Sequence, residues 1–218
     1  MFDKKETLKV LGIAATAGIA AAGAYAYLQY RKAQLDTEAS RLADVLALKP
    51  GSRVADVGAG VGNMSVRIAQ RAGESGKVFA VEIEERKLAK LRHRKAKEDL
   101  RTIEIVACKA DDCNLAPNSC DALYVRSAYH HFTAPEAMNG SLLRALRPGG
   151  TLAVIDFPPR LLLKPWTPKG IPDNRGGHGI PPRLVAEELA SAGFETVRNI
   201  ADWPGGHFCI LVQKPIAL

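Results

Sequence analysis

The sequence predicts an α/β domain, and two observations carry that prediction. Apolar runs of strand length alternate with helical patterns along most of the 218-residue chain, which is typical of a sheet covered by helices. The first such run, residues 54–57, leads into three glycines at every second position: Gly58, Gly60 and Gly62. Glycines there let the backbone turn sharply and approach a ligand closely, with a helix N-terminus behind them.

Length and composition fit one α/β domain with a short extra segment. The apolar fraction of 47% is ordinary for a globular protein and excludes a disordered chain. A net charge of +7 favours contact with anionic surfaces without saying which. The cysteines form no Cys-x-x-Cys pair, so we expect reduced, mostly buried thiols at Cys108, Cys113, Cys120 and Cys209.

Two acidic residues make the glycine turn a more specific signal. Asp56 stands just before the turn, and a second apolar run, residues 78–81, ends at Glu82. A carboxylate at that second place can accept hydrogen bonds from both hydroxyls of a ribose. Together these features resemble the class I S-adenosylmethionine-dependent methyltransferases, over about Leu35 to Lys214. The resemblance implies a Rossmann-like, seven-stranded, mostly parallel sheet with helices on both faces and a C-terminal antiparallel hairpin.

The order of predicted elements agrees with that fold. The turn Arg147–Gly150, followed by an apolar strand ending at Asp156, again resembles the family and has an architectural role. The predicted strands are 53–57, 78–82, 102–107, 122–125, 151–156, 194–200 and 207–213, and the predicted helices are 33–48, 63–72, 84–100, 135–146 and 182–192.

The resemblance also implies a binding site for S-adenosylmethionine. Asp56 would orient the glycine turn, Glu82 would hold the ribose hydroxyls, and Ile83 would pack on the adenine. Either of two acids after the third strand would accept a hydrogen bond from the adenine amine, and Arg126 at the end of the fourth strand borders donor and acceptor. The implied donor residues are Asp56, Gly58, Gly60, Gly62, Glu82, Ile83, Asp111, Asp112 and Arg126.

The acceptor side is predicted around a Tyr-His-His-Phe run, residues 129–132, which resembles a subset of small-molecule methyltransferases. His130 or His131 could take a proton from the acceptor, because the unperturbed pKa of histidine is near neutrality. The alternative is that one of them packs under the following helix. The histidines show no metal-ligand spacing, so no metal site is expected.

A long irregular segment, residues 157–182, follows the fifth strand. Connections of this length without regular elements are often functional or mobile, and in the family resembled this insertion often covers the acceptor. A solvated loop is the alternative. The candidate acceptor contacts at the end of the strand and in the segment are Asp156, Arg160, Trp166, Arg175 and His178.

The N-terminal segment, residues 1–34, is predicted to be separate from the methyltransferase domain, residues 35–218. Residues 10–28 carry no charge, and a helix of this length can cross a hydrocarbon core. We expect a single-pass anchor with the catalytic domain facing the cytoplasm. A signal peptide cleaved near residues 24–26, with export of the domain, and a soluble packed helix are the alternatives. Small residues on one face of this helix would also permit self-association.

These features predict a methyltransferase acting on a small-molecule acceptor, with an apolar molecule reached from the membrane as the hypothesis that residues 10–28 suggest. Nucleic acid is not expected as a partner, because the basic helix predicted over 84–100 has no interleaved aromatic side chains. Its charges suit solvent or anionic headgroups. Two other functions remain open: a catalytically silent, membrane-anchored module with this fold, and an NAD(P)-dependent oxidoreductase, which the glycine spacing disfavours.

Overall fold

The computed structural model describes residues 4–160, 165, 167, 169–175 and 178–216, with side chains described from residue 22 onward. The described part contains helices α1 (Lys4–Val45), α2 (Asn63–Ala72), α3 (Glu85–Lys97), α4 (Pro135–Ala145) and α5 (Pro182–Ser191). The strands are β1 (Arg53–Val57), β2 (Lys77–Glu82), β3 (Ile103–Ala107), β4 (Cys120–Arg126), β5 (Leu146–Asp156), β6 (Glu195–Trp203) and β7 (His207–Gln213).

The seven strands form one sheet in the order β3-β2-β1-β4-β5-β7-β6. Strands β1 to β5 run parallel to one another, whereas β7 runs antiparallel to both β5 and β6. The strand order therefore reverses between β1 and β4. In open sheets of this kind, ligands bind beyond the carboxyl ends of the strands at such a switch point. The predicted mostly parallel sheet and its antiparallel hairpin are confirmed.

Helices cover both faces of the sheet because alternate strand residues point to opposite sides. On one face, strand residues such as Val57 and Val125 form a buried cluster with Leu142 of α4 and Leu189 of α5. On the other face, Asp56 accepts a hydrogen bond from the Ser65 hydroxyl of α2 at 2.6 Å. All four cysteines are free thiols, and three of them are buried: Cys113, Cys120 and Cys209.

Most predicted elements lie where the sequence places them. The bounds of α2 and β7 agree with the prediction, and α3 buries the predicted apolar ridge of Leu88 and Leu91. Strand β5 begins earlier than predicted, at Leu146, because the predicted turn is itself paired: Leu146 lies opposite Cys120, and the Gly149 amide donates to the Lys214 carbonyl at 3.0 Å.

The N-terminal segment differs from the prediction in continuity. One helix, Lys4–Val45, replaces the two predicted helices, since no glycine or proline interrupts residues 24–45. The chain divides into two compact units, Met1–Glu38 and Ala39–Leu218. Within the part of the chain that is described, no helix combines the length and apolarity needed to span a membrane. The transmembrane anchor predicted over residues 10–28, an alanine- and glycine-rich run, therefore has no structural support.

Candidate active site

The glycine turn lies between β1 and α2 at the switch point of the sheet. Gly58, Gly60 and Gly62 have φ angles of 82°, 60° and 77°, a region that side chains with a Cβ rarely adopt. A Cβ on Gly58 would lie 2.5 Å from the Ala128 Cβ, and one on Gly62 would lie 2.7 Å from Leu91 Cδ2. A Cβ on Gly60 would meet nothing within 4 Å. Two glycines therefore permit close packing, and the middle one faces open space.

The buried carboxylate of Glu82 closes this turn from β2. Its Oε2 accepts a hydrogen bond from the Gly60 amide at 2.8 Å, and its Oε1 accepts from the amides of Ile83 and Glu84 at 2.9 and 3.0 Å. A carboxylate offers about four acceptor positions, so one position remains on Oε2. Two ribose hydroxyls would therefore have to displace the Gly60 amide.

Asp56 ties the end of β1 to the helix after the turn through its bond to Ser65. Burial raises the pKa of Asp56 from 3.8 to about 6, against the opposing effects of the Ser65 hydrogen bond and the nearby Arg126 charge. Arg126 thus lies close to the turn, at the end of β4, as the sequence predicts for a residue bordering the donor.

The two acids predicted to reach the adenine amine have different surroundings. Asp112 accepts hydrogen bonds from the Asn114 amide, the Ser141 hydroxyl and the Arg144 guanidinium at 2.8, 2.9 and 3.0 Å. These bonds lower the pKa of Asp112, the Asn114 amide most of all. Asp111 is exposed. The structure therefore gives Asp112 a role in fixing the loop and leaves Asp111 as the donor-site candidate.

The histidine-bearing turn follows β4 directly and is fixed on two sides. The Cα of Gly58 packs closely on Ala128, and the Ser127 hydroxyl lies 3.1 Å from His207 Nε2. The short 3-10 helix Tyr129–His131 comes next. The tight contact with Gly58 places this turn directly beside the glycine turn.

His130 is buried and oriented by Asp156 at the end of β5. Its Nδ1 lies 2.8 and 3.0 Å from the two Asp156 carboxylate oxygens, and its backbone amide donates to Oδ2 at 3.0 Å. Since a carboxylate accepts, Nδ1 carries the hydrogen, and in the neutral tautomer Nε2 presents a lone pair. Nε2 is buried and has no hydrogen-bond partner among the described residues.

His178 comes from the irregular segment and joins this turn. An isolated bridge pairs His178 with Arg160, whose amide donates to the His178 carbonyl at 2.8 Å. The His178 ring centroid lies 4.9 Å from that of His130 and 5.6 Å from that of His131. Partial desolvation by the surrounding rings, together with the neighbouring histidines, lowers the pKa of His131 to about 4 and also lowers that of His178. Both rings are therefore neutral at neutral pH.

A buried ionic network, which the sequence does not predict, holds the irregular segment against the histidine-bearing turn. Arg175 is 1% exposed and lies 3.0 Å from the Glu188 carboxylate of α5. The Tyr129 hydroxyl donates to the same carboxylate at 2.9 Å and accepts from the Asn139 amide at 2.7 Å. Arg175 is thus paired within the protein. Trp166, another of the candidate acceptor contacts, lies outside the described residues.

Comparison with known proteins agrees with the fold and the donor turn. Residues 54–150 match a family model described as a methyltransferase domain. The ubiquinone/menaquinone biosynthesis C-methyltransferase of Paraburkholderia phymatum is 31% identical over 121 residues, which are 56% of this chain and 47% of that protein. The 24-methylenesterol C-methyltransferase 2 of Oryza sativa subsp. japonica is 30% identical over 169 residues, 73% of this chain and 46% of that protein.

A solved structure agrees as well. A SAM-dependent methyltransferase from Aquifex aeolicus superposes with a TM-score of 0.69 at 22% identity, covering 81% of this chain and 89% of that one. The sheet order and the glycine turn with its acid define the class I methyltransferase fold. The chain therefore carries a methyltransferase domain, matched over residues 54–150, on the sheet order of the class I S-adenosylmethionine-dependent methyltransferases. It spans less than half the length of the two curated relatives named above.

The residues present fit S-adenosylmethionine, the cofactor of this family. The open space at Gly60 lies at the carboxyl end of β1, beside the Glu82 carboxylate with its remaining acceptor position. Ile83 leaves 56% of its apolar side chain exposed next to that carboxylate, as a surface for a purine ring would require. These three features lie where the sequence analysis places the donor.

Proposed function

We propose that the chain transfers a methyl group from S-adenosylmethionine to a carbon atom of a small apolar acceptor. The observation that carries this proposal is the direct packing of Gly58 on Ala128. It joins the donor turn to the turn that bears the histidines, two residues before His130. Donor-binding groups and groups able to take a proton therefore share one edge of the sheet.

The protein's task in such a transfer is mainly alignment. When bound, S-adenosylmethionine supplies a methyl group on a positively charged sulfur, which is already a good leaving group. The glycine turn and Glu82 would hold one reactant, and aromatic side chains such as Phe157 beside His130 would exclude water from the other. The imidazole rings of His130 and His131 are the candidate acceptors of a proton from the acceptor molecule, and Asp156 keeps the His130 ring in one orientation.

Two observations support an apolar acceptor. The relatives named above are C-methyltransferases of quinone biosynthesis and of a sterol by their names, and both kinds of molecule are largely apolar. In this chain, the Phe157 ring lies 4.7 Å from that of His130, and in the same turn Phe132 packs on Tyr129 with ring centroids 4.8 Å apart. Apolar walls with a few polar groups are typical of small-molecule sites.

Donor binding is tested by calorimetric titration of the full chain with S-adenosylmethionine and its demethylated product. We expect micromolar binding of both compounds. Glu82→Ala should abolish it, because that change removes the acceptor of the ribose hydroxyls and the hydrogen bond that holds the Gly60 amide. Glu85→Ala is the matched control, since Glu85 is exposed and pairs with Arg92 on the outside of α3. Absence of binding to folded wild-type protein would refute the donor site and favour a catalytically silent module.

The acceptor is tested with radiolabelled methyl donor and a panel of hydroxylated aromatic rings and sterols in detergent, beside small polar amines in buffer. We expect label in the organic extract, stable to acid and base because a carbon–carbon bond has formed. Label found only in water-soluble amines would contradict the apolar acceptor while leaving the methyltransferase proposal intact.

A cytoplasmic, membrane-attached location is a separate proposal that rests on the sequence. S-adenosylmethionine is made inside cells, and residues 10–28 carry no charge. Fractionation of cells expressing the chain with and without residues 1–34 tests attachment. Equal recovery of both forms in the soluble fraction would contradict it, and recovery outside the cell would favour the exported form.

A further inference from the structure

Three histidines form a compact cluster that the sequence analysis does not assemble. His130, His131 and His178 each offer one ring nitrogen, and these nitrogens lie within 4.8 Å of one another. Two come from the 3-10 helix after β4 and the third from the bridged part of the irregular segment. Imidazole nitrogens are favoured ligands of zinc and other divalent transition metals.

The cluster contains buried nitrogens whose bonding is incomplete. Among the described residues, neither His130 Nε2 nor His178 Nδ1 has a hydrogen-bond partner, although buried polar atoms are nearly always bonded. For His130 the free atom is the one that carries a lone pair, because Nδ1 donates to Asp156. A nitrogen lone pair without a partner is available to a proton donor or to a cation.

The bond from His130 to Asp156 has the form that supports a metal ligand. Histidines that bind metals commonly donate their second ring nitrogen to a carboxylate, which fixes the ring and increases the basicity of the ligating nitrogen. Asp156 is fully buried and is held in turn by the amides of His130 and Phe157 at 3.0 and 2.9 Å. His130 is therefore the rigid member of the cluster.

We propose that His130, His131 and His178 bind one divalent transition-metal ion, with zinc the best match to the ligand set. Zinc–nitrogen distances of about 2.1 Å place tetrahedral ligand atoms about 3.4 Å apart, so the widest separation of 4.8 Å must close by roughly 1.4 Å. His131 is exposed and His178 is partly exposed in an irregular segment. These two rings make the adjustment around His130.

Three protein ligands leave the fourth position of a zinc ion open. That position would take water or an oxygen atom of the acceptor, and the histidines would then act through the ion rather than as free bases. This role rests on the proposed function, because it needs an acceptor at the same edge of the sheet. The binding of the metal itself does not depend on it.

The test is titration of the chelator-treated full chain with Zn²⁺ by calorimetry and with Co²⁺ by visible absorption. We expect one ion per chain, with the intense ligand-field bands of tetrahedral Co²⁺. His178→Ala should weaken Zn²⁺ binding at least tenfold. Asp156→Asn should weaken it about 10- to 100-fold, the usual effect of losing the carboxylate behind a histidine ligand.

His93→Ala is the matched control, because His93 is exposed on α3 and should leave the titration unchanged. Circular dichroism verifies that each variant is folded. If Asp156→Asn does not fold, His178→Ala alone tests the metal site. Binding of fewer than one ion per wild-type chain, or equal affinity in wild type and His178→Ala, would overturn the proposal. Titration of the metal-free protein with S-adenosylmethionine separates this result from failure of the donor site.

Discussion

Replacing Asp56 with asparagine should stabilise the protein at neutral pH. Burial holds the pKa of Asp56 at about 6 in the folded state, compared with 3.8 in an exposed chain. Below pH 3.8 both states are protonated and the folded state bears no penalty. Between the two values the unfolded state ionises first, so stability falls as pH rises. Above the folded pKa the penalty is constant at about 3 kcal/mol for a raised pKa of this size.

Asparagine removes the charge while keeping the size of the side chain and an oxygen that can accept from Ser65. Asp56→Asn should therefore gain up to about 3 kcal/mol at pH 7.5 and close to nothing near pH 4. Urea unfolding of both proteins across this range measures the gain. Asp202→Asn, at a side chain 88% exposed, should change stability little at either pH.

If the gain in stability does not grow between pH 4 and 7.5, the assignment of a buried carboxylate that is destabilised by desolvation is wrong. We also expect the stabilised variant to bind S-adenosylmethionine more weakly, since functional sites commonly retain groups that lower stability. Equal donor affinity in Asp56→Asn and wild type would show that the charge of Asp56 is not needed for donor binding.

Three further predictions follow from packing and burial. Gly58→Ala should lose about 2 kcal/mol or more in urea unfolding, because of its positive φ and a contact at 2.5 Å, whereas Gly140→Ala inside α4 should gain up to about 1 kcal/mol. Arg175→Met should lower the free energy of unfolding by about 3 kcal/mol, because it leaves the Glu188 carboxylate without its ion-pair partner. Adding Glu188→Leu should recover most of that loss. The Cys120 thiol, whose pKa burial raises to about 11, should resist thiol reagents at pH 8 until the protein unfolds.

The donor half of the site is predictable because its signals are local. The glycine turn, the acid ending β1 and the acid ending β2 lie within thirty residues, and each depends on its neighbours in sequence. The bounds of α2 follow from the turn before it and Gly73 after it. A strand, a turn and a helix that agree in this way leave few alternative arrangements.

The acceptor half is less predictable because its residues meet only in the folded chain. His178 pairs with Arg160, and its ring lies 4.9 Å from that of His130. No local sequence pattern predicts that pairing. Spacing along the chain therefore gives no sign of a metal-ligand set. Likewise, Arg175 is a candidate acceptor contact in sequence, yet its partner Glu188 lies on a helix that sequence alone cannot orient towards it.

The two halves of the site also differ in how freely they can change. The donor half is one contiguous stretch, so an alteration there disturbs strand, turn and helix together. Among its described residues, the irregular segment is closed on itself by the Arg160–His178 bridge and is joined to α5 by the Arg175–Glu188 pair. A different segment that pairs with Glu188 in the same way could replace residues 157–182 without altering the sequence of the glycine turn. The fold thereby keeps one methyl donor constant while leaving its choice of acceptor open to exchange, in evolution or by grafting.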